Sequence, residues 1–70
     1  MDQIIAKQEM QIERKRIVIE FRENDRGTFL RIIEEAAGRR NAIIVPGPGL
    51  PEFTATIDEV LQQAVQAAQV

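Results

Sequence analysis

The sequence contains no Cys, His, Ser, Tyr or Trp among its 70 residues. Thiol, serine and histidine catalysis are therefore excluded, as are disulfides and metal sites built on Cys or His. Carboxylates remain for acid–base chemistry, but Glu34–Glu35 and Asp58–Glu59 are adjacent pairs, whose side chains diverge on strands and on helices. We expect no enzyme, and no cofactor, metal or small-molecule substrate.

Long apolar runs are also missing. The longest, Ile43 to Pro46, is far shorter than the roughly 20 residues that a membrane-spanning helix needs. The stretch from Met1 to Ile5 has neither the charged region nor the apolar stretch of a signal peptide. These absences predict a soluble protein of the cytoplasm, with the nucleoid as an alternative location and no membrane partner.

The length predicts one domain over residues 1–70, in which residues 1–6 are frayed or helical. A chain of this size buries only about 60% of the surface that its unfolded form exposes. Small domains with so thin a core usually depend on disulfides, a metal or a second subunit. Since the residues for the first two are missing, we expect the chain to pair with itself.

Charge is segregated along the chain, although its net value is only -2. Eight of the nine basic residues lie between Arg14 and Arg40, where they outnumber the acidic residues by three. Seven of these eight are Arg, which binds phosphate through two parallel hydrogen bonds and stacks on bases. Such a segment is typical of a nucleic-acid-binding surface, and also of a merely solvated sheet face.

Alternation of apolar and polar residues predicts the strands. It is clear in Arg16 to Arg22 and in Thr28 to Glu35, which are separated by the turn residues Glu23 to Gly27. A turn at residues 36–41, with Gly38 and Asn41 permitting the reversal, leads to a short apolar strand from Ala42 to Val45. Weaker alternation favours an additional strand from Lys7 to Ile12.

A helix is predicted to begin at Pro51, after a Pro-Gly-Pro-Gly connector that lacks the Lys-Ser/Thr of a phosphate-binding loop. Its apolar residues recur at steps of three and four, and we take them as a dimer interface: Phe53, Ile57, Val60, Leu61, Ala64 and Val65. The fold class is α+β, a curved four-stranded antiparallel sheet followed by one C-terminal helix. The helix can cover one sheet face only, which leaves Val18, Phe29, Ile33 and Ile44 on the other.

Several of these residues carry a resemblance to a known family. They are Lys15–Arg16 before an alternating strand, Glu23–Asn24 with Gly27 closing the turn, Phe29 to Ile32, and the helix start Pro51 to Phe53. In this order and spacing they resemble the PUR repeat of Pur-alpha and its bacterial relatives, which bind purine-rich single-stranded DNA and RNA. The resemblance implies a β-β-β-β-α repeat that interlocks with a second copy, here as a homodimer.

The resemblance also implies where nucleic acid binds. The family uses a Gln-Asn-Lys or Lys-Asn-Lys stretch between the first two strands, and Glu13-Arg14-Lys15 stands at this place here. The family also uses a pair of aromatic residues, and here Ile17 and Val18 replace them. We predict contacts from Arg14, Lys15, Arg16, Arg22 and Arg31 on one sheet face, with Arg26, Arg39 and Arg40 reaching in from loops. Phe29 is the aromatic best placed to stack on a base, or else packs in the sheet. Asn24 and Asn41 offer amides to base edges.

Two alternatives remain open at this point. The acidic net charge and the missing aromatics are also compatible with a dimeric protein-interaction module that binds an acidic protein instead of nucleic acid. The sheet and helix also resemble, more loosely, the single-stranded-DNA-binding coactivator known as positive cofactor four, whose function would be the same.

Overall fold

The computed structural model describes residues 2–68 of the chain. The four strands are β1 (Gln3–Ile12), β2 (Lys15–Asn24), β3 (Gly27–Ala36) and β4 (Arg39–Pro46). A single turn of 3-10 helix, Gly47–Gly49, leads into the helix α1 (Leu50–Ala68). The strands form one antiparallel sheet in the order β1-β2-β3-β4, each next to its sequence neighbour. The predicted α+β fold is therefore confirmed.

The ends of several elements differ from the prediction or extend it. Strand β4 begins at Arg39 rather than at Ala42, so the predicted turn at residues 36–41 is shorter than expected. Strand β1 begins at Gln3 rather than at Lys7, because a bulge at Ile5 lets the chain continue to pair with β2 as far as Glu23. The C-terminal tail, for which helix and fraying were both open, is helical up to Ala68. The predictions for Met1, Gln69 and Val70 fall outside the described residues.

Each hairpin turn has a local cause. Between β2 and β3 the Asn24 side chain accepts a hydrogen bond from the Arg26 backbone N–H (2.8 Å), and Gly27 follows at a φ of 121°. Between β3 and β4 both Ala37 and Gly38 have positive φ, as a tight two-residue hairpin requires. Asn41 was predicted to help this reversal, but it lies inside β4.

The sheet has two dissimilar faces. The apolar face carries Ile17, Ile19, Phe21, Leu30 and Ile32; the charged face carries Arg16, Val18, Glu20, Arg22, Phe29, Arg31, Ile33 and Glu35. The best buried residues are Val18 and Ile33, each 3% exposed, and Glu20, 6% exposed. They lie on the charged face, which the sequence had assigned to the side away from the core. Val18 and Ile33 are directly opposite each other on β2 and β3, and Glu20 is the next residue of β2 on the same face.

The helix leaves both apolar surfaces of a single chain uncovered. It contacts mainly the 3-10 turn and β4, and none of its described residues is buried. Val60, Leu61 and Val65 are each more than half exposed. The expectation that the helix covers a face of its own sheet is therefore wrong. The connector itself packs closely on β3, because a Cβ on Gly47 would collide with the hydroxyl and carbonyl oxygens of Thr28.

Candidate nucleic-acid interface

The side chains of the charged face form rows across the strands, as the pairing register requires. One row holds Gln11, Arg16, Glu35 and Arg40, and a second holds Lys7, Glu20, Arg31 and Ile44. Opposite charges therefore face each other across neighbouring strands in both rows. Which cations are engaged in ion pairs, and which are not, decides what the face can bind.

Arg16 lies between two carboxylates. Its guanidinium contacts Glu9 on β1 and Glu35 on β3, the latter at 2.7 Å. The two carboxylates, Glu9 more than Glu35, raise the pKa of Arg16 above its ordinary value. This arginine was predicted to bind nucleic acid, but its charge is already balanced by the protein.

Lys15 lies on the other side of the sheet from Arg16. Its Nζ is 2.9 Å from the Glu34 carboxylate at the rim of the apolar face. Glu34 raises the pKa of Lys15, while Lys15, with a hydrogen bond from Asn41, lowers the pKa of Glu34. The prediction that Lys15 shares one face with Arg16 is wrong, because successive residues of a strand point to opposite faces.

Arg22 holds the interior of the charged face together. Its side chain is only 15% exposed and lies 2.8 Å from Glu20, whose side chain is 8% exposed, and 3.6 Å from Asp2. The Arg22 Nε is buried with no hydrogen-bond partner among the described residues. Because Arg22 is mostly buried and lies next to two carboxylates, it has a structural role in the sheet.

Among the described residues, three arginines at one end of the sheet are exposed and make no ion pair. In a meander of four strands the β1–β2 and β3–β4 turns lie at the same end, and there they enclose an open groove of about 380 Å³. Within residues 2–68, Arg14, Arg39 and Arg40 make no salt bridge. This turn-end groove is lined by Gln11, Arg14, Arg16, Glu35, Ala36, Ala37, Gly38, Arg39 and Arg40.

The opposite end of the charged face has a second opening of similar size. This Phe29 hollow, about 380 Å³, is lined by Asn24, Arg26, Gly27, Thr28, Phe29, Ile44 and Pro46. Arg31 lies between the two openings, opposite Glu20 on β2 and Ile44 on β4. The structure thus distributes most of the predicted site residues along the charged face, between the groove at one end and the hollow at the other, whereas Lys15 lies on the apolar face.

Neither amide that was expected to read base edges is free to do so on this face. Asn24 is engaged in its own turn and donates to Asp2 at 3.3 Å. Asn41 pairs with Glu34 in the register and so belongs to the apolar face. Conversely, the sequence reasoning missed Gln11, whose amide donates to the Glu13 carbonyl at 3.1 Å and lines the groove. The strand order could have identified it, because a meander brings the end of β1, where Gln11 lies, close to the β3–β4 turn.

A family model described as PurA ssDNA and RNA-binding protein matches residues 2–68. The chain belongs to the PurA family. No curated protein matches the chain significantly. The PurA family is one of nucleic-acid-binding proteins and not of enzymes. The predicted resemblance to the PUR repeat is thereby confirmed.

Within the PurA framework, the stretch between the first two strands contributes less here than the resemblance implied. Of Glu13, Arg14 and Lys15, only Arg14 lines the groove. Arg39 and Arg40 supply the remaining positive charge. They were predicted to reach in from a loop, but they are the first two residues of β4 and pair with Ala36 and Glu35 of β3. Across the part of the chain that is described, no helix is long and apolar enough to cross a membrane, and no three potential metal ligands cluster.

Proposed function

We propose that this PurA-family chain binds single-stranded DNA or RNA as a homodimer and holds the phosphates mainly at the turn-end groove. The observation that supports the site is that three exposed cations without a carboxylate partner lie together there, whereas three of the other predicted contacts are already paired. Arg14, Arg39 and Arg40 are exposed and make no salt bridge within residues 2–68, whereas Lys15, Arg16 and Arg22 all do. A cation with no carboxylate partner neutralises a phosphate without first breaking an ion pair.

The remaining predicted contacts extend the path along the charged face. Arg31 lies midway along it, and Arg26 lines the hollow at its far end. Neither makes a salt bridge within the described part of the chain. We assign Arg22 and Arg16 to holding the sheet, with phosphate contact as a secondary part. Lys15, on the other face, we assign to stability alone.

The homodimer is supported by two uncovered apolar surfaces that complement each other. The helix carries its exposed stripe of Phe53, Ile57, Val60, Leu61, Ala64 and Val65, and the sheet carries the apolar face, where Ile43 is 53% exposed. A two-fold axis would place the helix of each chain on the apolar sheet face of the other. A single interface would then cover the helix stripe and the apolar sheet face of both chains. Each charged face then stays open to solvent.

Sequence preference should be modest. Ionic contacts to phosphate carry no base information, and the chain has only three aromatic residues, all Phe. Base stacking tolerates any sequence and is strongest for the larger rings, so we expect a mild preference for purines.

Two single substitutions that remove the same charge test the site. Arg40→Gln removes a cation of the groove, and Lys15→Gln removes one from the other face. Each phosphate contact on a single strand contributes about 0.7 to the slope of log K against log salt. R40Q should reduce the slope by roughly that amount and weaken binding at low salt. K15Q should leave both unchanged. Equal effects of the two variants would mean that the groove is not the site.

The exposed arginines would also suit an acidic protein, which is the second candidate function. Treatment of the purified protein with nuclease separates the two. An arginine-dependent complex that survives the treatment would favour a protein partner.

A further inference from the structure

Strand β1 is an open edge of the sheet. Within the described chain it pairs only with β2, and every one of its residues is exposed. It contains no Pro, and beyond the bulge at Ile5 the stretch from Ala6 to Ile12 pairs with β2 in unbroken register. Such an edge presents a row of backbone N–H and C=O groups to which a further strand can bind.

The opposite edge of the sheet, β4, is less suited to accept a strand. It begins with two successive arginines, Arg39 and Arg40, and it ends at Pro46, which has no N–H to donate. The helix α1 also contacts this strand. Strand β1 is therefore the edge at which a strand can be added.

Two residues of opposite charge, Lys7 and Glu9, lie on the charged face of β1. Lys7 makes no salt bridge among the described residues, although it is opposite Glu20, which pairs with Arg22 instead. Glu9 contacts Arg16 through Oε1, and none of its described contacts uses Oε2. A lysine on an edge strand normally deters other strands. Here it can be matched by a strand that brings a carboxylate opposite to it.

The strand that does so is a second copy of β1. When two identical strands pair antiparallel about a two-fold axis perpendicular to the sheet, residues of the same face come opposite each other. With Gln8 on the axis, each Lys7 lies opposite the Glu9 of the other copy, and each Ala6 lies opposite its Met10. Moving the axis by one residue places Lys7 opposite Lys7, or Glu9 opposite Glu9, and like charges directly opposite destabilise a strand pair. Charge therefore selects the register centred on Gln8.

We infer that β1 is an interaction surface for the β1 strand of a second copy, with which it pairs antiparallel around Gln8. The contact goes beyond the proposed homodimer, which uses the helix and the apolar sheet face, and it joins two such dimers edge to edge. The two-fold axis keeps both charged faces on one side, so the four strands of each copy continue into one sheet. Only the stretch from Ala6 to Met10 pairs on both strands before the bulge at Ile5 is reached. We therefore expect the contact at protein concentrations above those that suffice for the homodimer.

A cysteine at the centre of the pairing tests it, because the chain contains no Cys of its own. In Gln8→Cys the two thiols come from positions directly opposite each other, whose Cα atoms are about 4.5–5.5 Å apart in an antiparallel pair. That separation lies within the range of roughly 4.4–6.8 Å that a disulfide spans. Mild oxidation should convert most of Q8C to disulfide-linked pairs of chains. The control Gln3→Cys, on the same strand, should not be linked, since its two copies would lie roughly 30 Å apart.

Charge reversal tests the register. In Lys7→Glu two negative charges face each other across the strand pair, and in Glu9→Lys two positive charges do. Each change, made in the Q8C background, should reduce the yield of linked chains several-fold. An equimolar mixture of the two variants brings opposite charges together again, so it should restore the yield, with links between one chain of each kind. Mass spectrometry of the linked species identifies these mixed pairs, and a variant that had failed to fold could not be restored by mixing.

The contrary outcomes are equally distinct. Equal linking of Q8C and Q3C would overturn the inference, because the thiols would then be meeting by random collision. Equal yields from K7E, from E9K and from their mixture would also overturn it, because the contact would then not depend on the pairing of Lys7 with Glu9. Both readouts are made without nucleic acid, so failure of this inference and failure of the proposed function are seen in separate experiments.

Discussion

Lys15 and Arg16 are adjacent in sequence but lie on opposite faces of the sheet, each neutralised by carboxylates of a neighbouring strand. Lys15 pairs with Glu34 at 2.9 Å, and Arg16 pairs with Glu35 at 2.7 Å and with Glu9. The conspicuous basic run of this sequence therefore contributes little free charge. Among the described cations that make no salt bridge, Arg14, Arg39 and Arg40 lie together at the end of the sheet where the β1–β2 and β3–β4 turns meet.

Removing the carboxylates around Arg16 should strengthen nucleic-acid binding. In a Glu9→Gln/Glu35→Gln variant the Arg16 guanidinium is released toward the groove, and two negative charges near the phosphates disappear. We expect tighter binding and a salt slope that is steeper by about 0.7, the contribution of one additional phosphate on a single strand. Anisotropy titrations over a salt series measure both.

The control for this pair is Glu34→Gln, which removes a carboxylate from the apolar side of the sheet. It should not change the slope. If E34Q strengthened binding as much as E9Q/E35Q, the effect would reflect net charge alone and not the release of Arg16.

The Lys15–Glu34 pair makes stability depend on pH at both extremes. The folded pKa of Glu34 is lowered, so the contribution is present above the unfolded pKa and is lost as the pH falls through the folded value. The folded pKa of Lys15 is raised, so its contribution is lost as the pH rises through a value above 10.5. Denaturant unfolding at a series of pH values should show both losses, and each is small because the groups are exposed.

Substitution of Lys15 tests whether Lys15 and Glu34 act as a pair. Lys15→Gln should abolish the effect of Glu34→Gln on the acid limb, because Glu34 then has no cation to lose. Additive effects of the two substitutions would show that the pair does not act as a unit.

Arg22→Met should destabilise the fold much more than substitutions in the groove. It leaves the Glu20 carboxylate, 8% exposed, without its partner, and an unpaired buried charge costs about 3 kcal/mol or more. Urea denaturation measures the loss. The double variant Glu20→Met/Arg22→Met should recover most of the stability, because two apolar side chains replace the pair. No recovery would mean that Arg22 stabilises the sheet mainly through other contacts.

Leu61→Glu should separate the proposed homodimer. Leu61 is 59% exposed in the single chain and lies at the centre of the helix stripe, which we expect a second copy to cover. Sedimentation equilibrium should give a dimer for the unmodified protein and for the control Gln63→Glu, but a monomer or an unfolded chain for L61E. A dimer of unchanged stability in L61E would place the interface elsewhere.

The sequence was sufficient for the element order. Alternation through Ile17, Ile19 and Phe21, the Asn24–Gly27 turn and the apolar spacing after Pro51 predict β2, β3 and the helix close to their observed positions, whereas β4 begins three residues before its predicted start. The early start of β1 at Gln3 was not predictable, because those residues alternate poorly and are held by pairing with β2 across a bulge.

The site was predictable only in part. Ion pairs across strands depend on register, and a shift of one residue would give Arg16 other partners than Glu9 and Glu35. Sequence proximity suggested Lys15 and Arg16 as the binding pair, whereas spatial proximity joins Arg14 with Arg39 and Arg40. In a four-stranded meander the β1–β2 and β3–β4 turns lie at the same end of the sheet. The predicted strand order would therefore have been enough to bring these arginines together.

The most direct test of single-strand binding is fluorescence anisotropy of the unmodified protein with a labelled purine-rich single strand and a matched duplex, each at low and moderate salt. We expect binding to the single strand that weakens steeply with salt and exceeds binding to the duplex. No binding to the single strand at low salt, or equal binding to the duplex, would contradict this account.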